Sequence, residues 1–291
     1  MSKRDEQEPA PFFHGTSALA AVCISIDGFR LLPVILRRWY LGLLGHGIYI
    51  TASLRQAAWF SSGYIFRVRL APGTRILRLD GQCDPRVIDS LRREFGKDVL
   101  GPGFDKAIPS NKHLRRVEVI HLLNYHWAHH DVEGKRRDDL LIAELAVFRR
   151  YLARCHYAGL GSLNSDAGVV VFSPTRLLAH SLLELADCDV LRWSNAPEAA
   201  IRQRLSEADP TRLALVAAAE LHSAVQSVPL LRQRVAKPEH EELVDLDRDE
   251  LRALLAEVPR WQVCLRRFCE KHRIAAKEPV VASALMGATT S

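Results

Sequence analysis

Apolar positions in this chain recur with two periods, and the change from one to the other organises it. Residues 64–70, Tyr-Ile-Phe-Arg-Val-Arg-Leu, alternate apolar and basic, and residues 74–79, Thr-Arg-Ile-Leu-Arg-Leu, do the same beyond Ala71-Pro72-Gly73. That pattern predicts two strands joined by a short turn. Gly168-Val169-Val170-Val171-Phe172 is the most strand-like run in the chain, and Ser173-Pro174 ends it. Helix is expected over 175–186. Nearer the amino terminus, Phe12-Phe13-His14 reads as a strand end, followed by helical residues 18–26. The β-branched run after Gly45 and Gly47 reads as a buried strand. Ser53 is a plausible N-cap behind it, opening a helix that carries Phe60 on its third turn.

The middle and the end of the chain follow the longer period. Asp84-Pro85 opens a helix to about residue 95, residues 96–111 read as loop, and 114–127 lean to helix in their second half. Over 138–155, Leu141, Leu145, Phe148 and Leu152 recur three and four apart, so a helical insertion is expected before the final strands. An extended run begins at Tyr157. Beyond Asp187 only helix signals remain: Asn195-Ala196-Pro197, Asp209-Pro210, Asp247 and Val258-Pro259 each open one, and the last carries Trp261, Leu265 and Phe268 on one face. The expected organisation is a flexible tail at 1–10, a mixed α+β domain at 11–186 and an all-helical, strandless module at 187–291.

Composition narrows the class without naming a function. The chain has 291 residues, 48% hydrophobic and 25% charged, the profile of an ordinary globular protein with room for a full core. No apolar run is read as reaching the roughly 18 residues needed to cross a bilayer. The charged start lacks the apolar centre of a signal peptide. The expectation is a cytoplasmic protein with no membrane partner, although a protein delivered into another cell by a specialised export machine has the same profile. Six cysteines, at positions 23, 83, 155, 188, 264 and 269, show no framework spacing and read as buried or idle thiols. The net charge of +6 and pI near 9.1 permit an acidic partner without requiring one, because Arg-Arg pairs are spread over the whole length. His113, His121, His126, His129 and His130 include i, i+3 and i+4 spacings, but no cysteine or well-spaced carboxylate accompanies them, and no metal site is assigned. Neither a phosphate-cradling glycine loop nor a Rossmann fingerprint is present.

Taken in order, Phe12-Phe13-His14-Gly15-Thr16-Ser17, a short helix, Gly28-Phe29-Arg30 and then Gly45-His46-Gly47-Ile48-Tyr49-Ile50-Thr51 with Ala57 and Phe60 behind it resembles the catalytic domain of ADP-ribosyltransferases. The likeness is to the branch shared by poly-ADP-ribose polymerases and diphtheria toxin. It covers about residues 11–80 well and 157–185 loosely. The resemblance implies split antiparallel β-sheets around an NAD cleft, with NAD as substrate. It puts His14 on the ribose and Gly15 on the carboxamide, with Thr16 and Gly47 in the same motifs. Tyr49 and Phe60 take the positions that stack on nicotinamide, where the second is usually tyrosine. Catalytic roles fall to His14 and Tyr49.

The family's third motif has a glutamate just ahead of a strand resembling Tyr-Val-Val-Tyr-Asp-Pro, and laying Val169–Pro174 on it puts Gly168 at the glutamate. Asp166 is the candidate surrogate, with Glu118, Glu144 or no acid at all as the other options. The expected activity is mono-ADP-ribosyl transfer from NAD to a protein or nucleic acid with release of nicotinamide, in a bacterial toxin, effector or defence factor. An antitoxin or regulatory partner would dock on the helical module. Two alternatives stay open: a degenerate protein that binds NAD, ADP-ribose or a partner without transfer, and an RNA 2'-phosphotransferase-like enzyme. Tyr49 with Phe60 argues against the second.

Overall fold

The computed structural model describes residues 11–32, 47–78, 152–154, 156–161, 168–186, 196–237, 244–275 and 281. Strand β1 (Phe12–Thr16) runs into helix α1 (Ala18–Asp27), and β2 (Ile48–Ile50) runs into α2 (Leu54–Trp59). There follow β3 (Tyr64–Leu70), β4 (Ile76–Arg78), β5 (Gly159–Gly161), β6 (Val169–Val171), a 3-10 turn (Pro174–Arg176) and β7 (Leu177–Leu185). The chain continues through α3 (Glu198–Gln203), β8 (Leu205–Glu207), α4 (Pro210–Ala236) and α5 (Val244–His272). The strands form two four-stranded sheets, one in the order β1-β3-β7-β8 and the other β2-β6-β5-β4. The first is antiparallel throughout; the second is antiparallel except where β4 runs parallel to β5. This is an α+β architecture.

Among the described residues one backbone bridge joins the sheets. Phe13 and Thr51 exchange backbone hydrogen bonds of 2.8 and 2.9 Å, so the end of β1 and the end of β2 are joined edge to edge. Behind the join lies a shared core. Ala18, Ala21 and Val22 of α1, Tyr64, Phe66 and Val68 of the first sheet, and Ile48, Ile50, Val169 and Val171 of the second pack in one cluster with Leu213, Ala217 and Leu221 of α4 and Leu265 and Phe268 of α5. A smaller cluster covers the far face of the first sheet, where Phe13 and Ile65 meet Leu54, Ala57 and Ala58 of α2 and Ile201 of α3.

The helix start read at Val258-Pro259 lies inside the single helix α5, and three further expectations, all about strands, are corrected. The strands at 64–70 and 76–78 are not a hairpin: after the turn at Ala71, β4 crosses to the second sheet and pairs with β5. Residues 177–185 form a strand on β3, not a helix. The register explains the misreading, because Val68 faces Ala179 while Arg67 faces Ser181, leaving His180 as an extra residue. Positions 177, 179 and 182 then share one face, and a spacing of two followed by three imitates helical periodicity. Third, the segment beyond 187 is not strandless, since Leu205–Glu207 pairs with Leu183–Leu185. The reading of the chain as lacking any run long and apolar enough to cross a bilayer also changes. Within α4 an 18-residue window has a mean hydropathy of 1.3 and is 28% buried. The helix expected near 84–95 and nearly all of the insertion lie outside the described residues.

Helix α1 is fastened at both ends by distant side chains. Ser17 accepts a hydrogen bond from the Ala20 amide at 3.3 Å, and Glu220 of α4 accepts from the Ala18 and Leu19 amides at 3.2 and 2.8 Å. Three of the four orphan amides of the first turn are thus met, and the carboxylate lies at the positive end of the helix dipole. At the other end, Asp27 accepts from Arg260 of α5 at 2.9 and 3.1 Å and from the Cys264 thiol at 3.3 Å. Arg260 also pairs with buried Glu257 at 3.2 Å, and Arg30 meets the same carboxylate at 3.1 Å. Cys23, Cys264 and Cys269 are buried and reduced. A hydrogen bond to Cys264, together with burial, pushes the Cys23 thiol far above the usual range. Replacing Glu220 with alanine leaves two helix-end amides unmet and is expected to cost about 2 kcal/mol. Glu220→Gln, which keeps an acceptor, should lose about half as much, both read from the midpoint of chemical denaturation.

Candidate site where the two sheets meet

Strand geometry decides what β1 presents at the join. Because Phe13 gives its amide and carbonyl to Thr51, the backbone groups of residues 12, 14 and 16 serve β3, and those of Gly15 fall on the Thr51 side. Side chains alternate the other way. Phe13 packs toward α2, so His14 lies on the opposite face, where its ring meets Phe29 edge-on at 5.3 Å and Phe29 meets Phe66 at 5.9 Å. His14 Nδ1 lies 2.8 Å from the Tyr49 carbonyl oxygen. A carbonyl only accepts, so the proton is on Nδ1, and in the neutral ring Nε2 is an acceptor. One hydrogen bond therefore ties the imidazole of β1 to the backbone of β2 and sets its tautomer.

Helix α2 closes on the same place from the far face. Ser53 caps it by accepting from the Gln56 amide at 3.3 Å. The helix is six residues long, so Phe60 is its C-cap and not part of a third turn. A Cβ on Gly15 would overlap the Ala57 carbonyl oxygen and stand 3.0 Å from the Ser61 amide nitrogen. Glycine at 15 is thus what allows the last turn of α2 to lie against β1. The Ser62 amide then donates to the Thr16 carbonyl at 3.0 Å, so the chain on either side of Phe60 wraps the end of β1. Phe60 is 52% exposed, Tyr49 is half-buried, Thr16 is buried, and Gly47 is buried against Val170 and Phe172. His14, Gly15, Thr16, Gly47, Tyr49 and Phe60 all belong to the elements that meet here.

The position at which the resemblance expects a glutamate, Gly168, is also defined. Gly168 has φ +72, in the left-handed region that disfavours any side chain. A Cβ there would lie 3.0 Å from the Ile50 carbonyl oxygen, 3.7 Å from Thr51 Cβ and 3.9 Å from Gln56 Oε1. That space holds a neutral pair, since Thr51 Oγ1 donates to Gln56 Oε1 at 2.9 Å and accepts from the Ser53 amide at 3.0 Å. Thr51 stands in the Gly-Ile-Tyr motif and Gln56 in the helix behind it, but only the pairing of Ile50 with Val169 brings position 168 beside them, so this pair was not legible in the sequence. Asp166, Glu118, Glu144 and the five histidines between 113 and 130 lie outside the described residues. Among the described residues no three His, Cys, Asp or Glu side chains group as metal ligands. No family model, curated protein or solved structure matches this chain.

The close approach at Gly15 yields a stability prediction. Gly15→Ala sets a methyl group against backbone atoms that cannot rotate away, and about 2 kcal/mol of stability should be lost. Thermal and chemical denaturation both report it, and an unchanged melting temperature would mean that α2 does not lie where described.

Proposed function

We propose that this chain binds NAD where β1, β2 and the end of α2 meet, and moves its ADP-ribose to a macromolecular acceptor with release of nicotinamide. The observation that carries the proposal is the 2.8 Å hydrogen bond from His14 Nδ1 to the Tyr49 carbonyl. It links the His-Gly-Thr strand to the Gly-Ile-Tyr strand and holds at their join the imidazole that the resemblance puts on the ribose. The Gly15 amide and carbonyl, on the Thr51 side, supply the donor and acceptor that a carboxamide needs. Tyr49 and Phe60 supply two rings for nicotinamide, each worth about 1 kcal/mol beyond burial. On this reading the two sheets are those of an ADP-ribosyltransferase fold.

The reaction breaks the bond between nicotinamide and the ribose carbon, and the departing base takes the bonding electrons as a neutral ring. Positive charge grows on the sugar until the acceptor's electron pair forms the new bond. Gln56 offers hydrogen bonds beside this point but cannot take up a proton, so this pair favours an acceptor that is already reactive, a phosphate, a nucleobase or a thiol, and Asp166 stays the candidate acid. Polymer formation, which needs an activated hydroxyl, is disfavoured. The same observation favours a second reading in which NAD or ADP-ribose binds without transfer.

Incubation of the whole protein with labelled NAD and cell extract separates the two. Label on protein or nucleic acid supports transfer, nicotinamide release without label marks hydrolysis, and binding alone supports the second reading. Tyr49→Ala and His14→Ala should each weaken NAD binding about tenfold, a loss of roughly 1.4 kcal/mol; full binding by both variants would refute the site. Gln56→Glu places an ionisable oxygen where the neutral pair now stands and should raise the rate of transfer about tenfold or more. A rate no higher than that of the unmodified chain would show that position 56 does not face the sugar.

A further inference from the structure

On the opposite face of the first sheet from His14 there is a cavity of about 450 Å³, bounded by α2, α3 and β8. Its floor is apolar, made by Phe13, Leu54, Leu183 and Leu205. One wall is polar, and the bulge in β7 creates it. Successive side chains of a regular strand point to opposite faces, but with His180 as the extra residue against Arg67 and Val68, His180 and Ser181 both line the cavity. Arg67, directly across from Ser181, joins them, and Arg202 comes in from α3. Arg67 is exposed and has no carboxylate partner among the described residues. Ser181 Oγ is buried and makes no hydrogen bond, a state that costs about 1–3 kcal/mol unless something in the cavity meets it. Glu207 stands at the end of β8 on the same lining.

We propose that this cavity is a binding site for a phosphomonoester carried on a flat apolar body, the chemistry of a nucleoside monophosphate. The parts match in kind and in size. Arg67, His180, Ser181 and Arg202 offer donors to a phosphate group, the apolar floor takes a base, and the Glu207 carboxylate accepts from sugar hydroxyls. Arg202 already shares its charge with Glu198 at 2.6 Å, which makes Arg67 the principal cation. The site shares Phe13 with the join of the sheets but lies on the opposite face of the first sheet from His14 and does not depend on NAD being bound there.

Titration of the full chain with adenosine monophosphate, followed by calorimetry, tests the proposal, with adenosine and inorganic phosphate as separate arms. Saturable binding with a Kd below about 1 mM is expected, with adenosine and phosphate each at least tenfold weaker. Arg67→Gln, at an exposed position that the fold does not need, should weaken the nucleotide about tenfold, and Ser181→Ala about fivefold. Tyr49→Ala should leave this titration unchanged while reducing NAD binding, so that the two sites fail independently. Three results would overturn the inference: no saturation by about 5 mM nucleotide, wild-type affinity in both Arg67→Gln and His180→Gln, or phosphate binding as tightly as the nucleotide.

Discussion

The structure turns on the exchange of two backbone hydrogen bonds between Phe13 and Thr51. Two such bonds contribute only about 2 kcal/mol net, too little to hold two sheets together. Burial supplies the rest: Ile48, Ile50, Val169 and Val171 share a core with Tyr64, Phe66 and Val68, so the sheets must lie side by side to remove those faces from water. What the hydrogen bonds add is register. Sliding β1 by one residue would turn His14 toward α2 and bring Phe13 to the Tyr49 carbonyl. The 2.8 Å contact between His14 and that carbonyl exists in one register only, and so does the approach of Gly15 to Ala57.

Helix α1 carries this arrangement to the other end of the chain. Its first amides are met by Glu220, and Asp27 in its last turn is met by Arg260, residues roughly two hundred positions away. Helices α4 and α5 therefore help to set where β1 emerges, and with it His14. The Arg260 pairing is a constraint as much as a support. Glu257 is 3% exposed, and a buried carboxylate left without its cations would cost several kcal/mol. Arg260 on the same helix and Arg30 just beyond α1 meet that demand, and because Arg260 also reaches Asp27, the end of α1 is tied to α5.

The sequence was most legible where local chemistry and fold agree. Ser53 reads as an N-cap and is one; the alternation at 64–70 and the valines at 169–171 read as strands and are strands. It was least legible where long-range pairing overrides local pattern. Nothing near Leu205 marks a strand, because three residues suffice when β7 is already in place. The bulge at His180 erased the alternation of β7, and the turn at 71–73, a good hairpin signal, serves instead as a crossing between sheets. The order of the motifs singled out His14, Gly15 and Tyr49, which lie on strands that meet. The neighbours of Gly168 were not, since Thr51 and Gln56 reach that point only through the register of β2 on β6.

That last feature shapes the chemistry under the NAD reading. A general base contributes about 10² to 10⁴ in rate, equivalent to roughly 3 to 5 kcal/mol of the barrier. A carboxamide held by Thr51 supplies none of it. It does supply a fixed dipole, and fixed dipoles stabilise developing charge without reorganising. Breaking the bond to nicotinamide needs that second contribution more than the first, because the leaving group departs neutral and the charge develops on the sugar. Deprotonating a hydroxyl acceptor needs the first. The pair at Thr51 and Gln56 is thus compatible with forming the sugar cation and poorly suited to activating an alcohol, so as far as this pair decides it, acceptors would be selected by their own nucleophilicity.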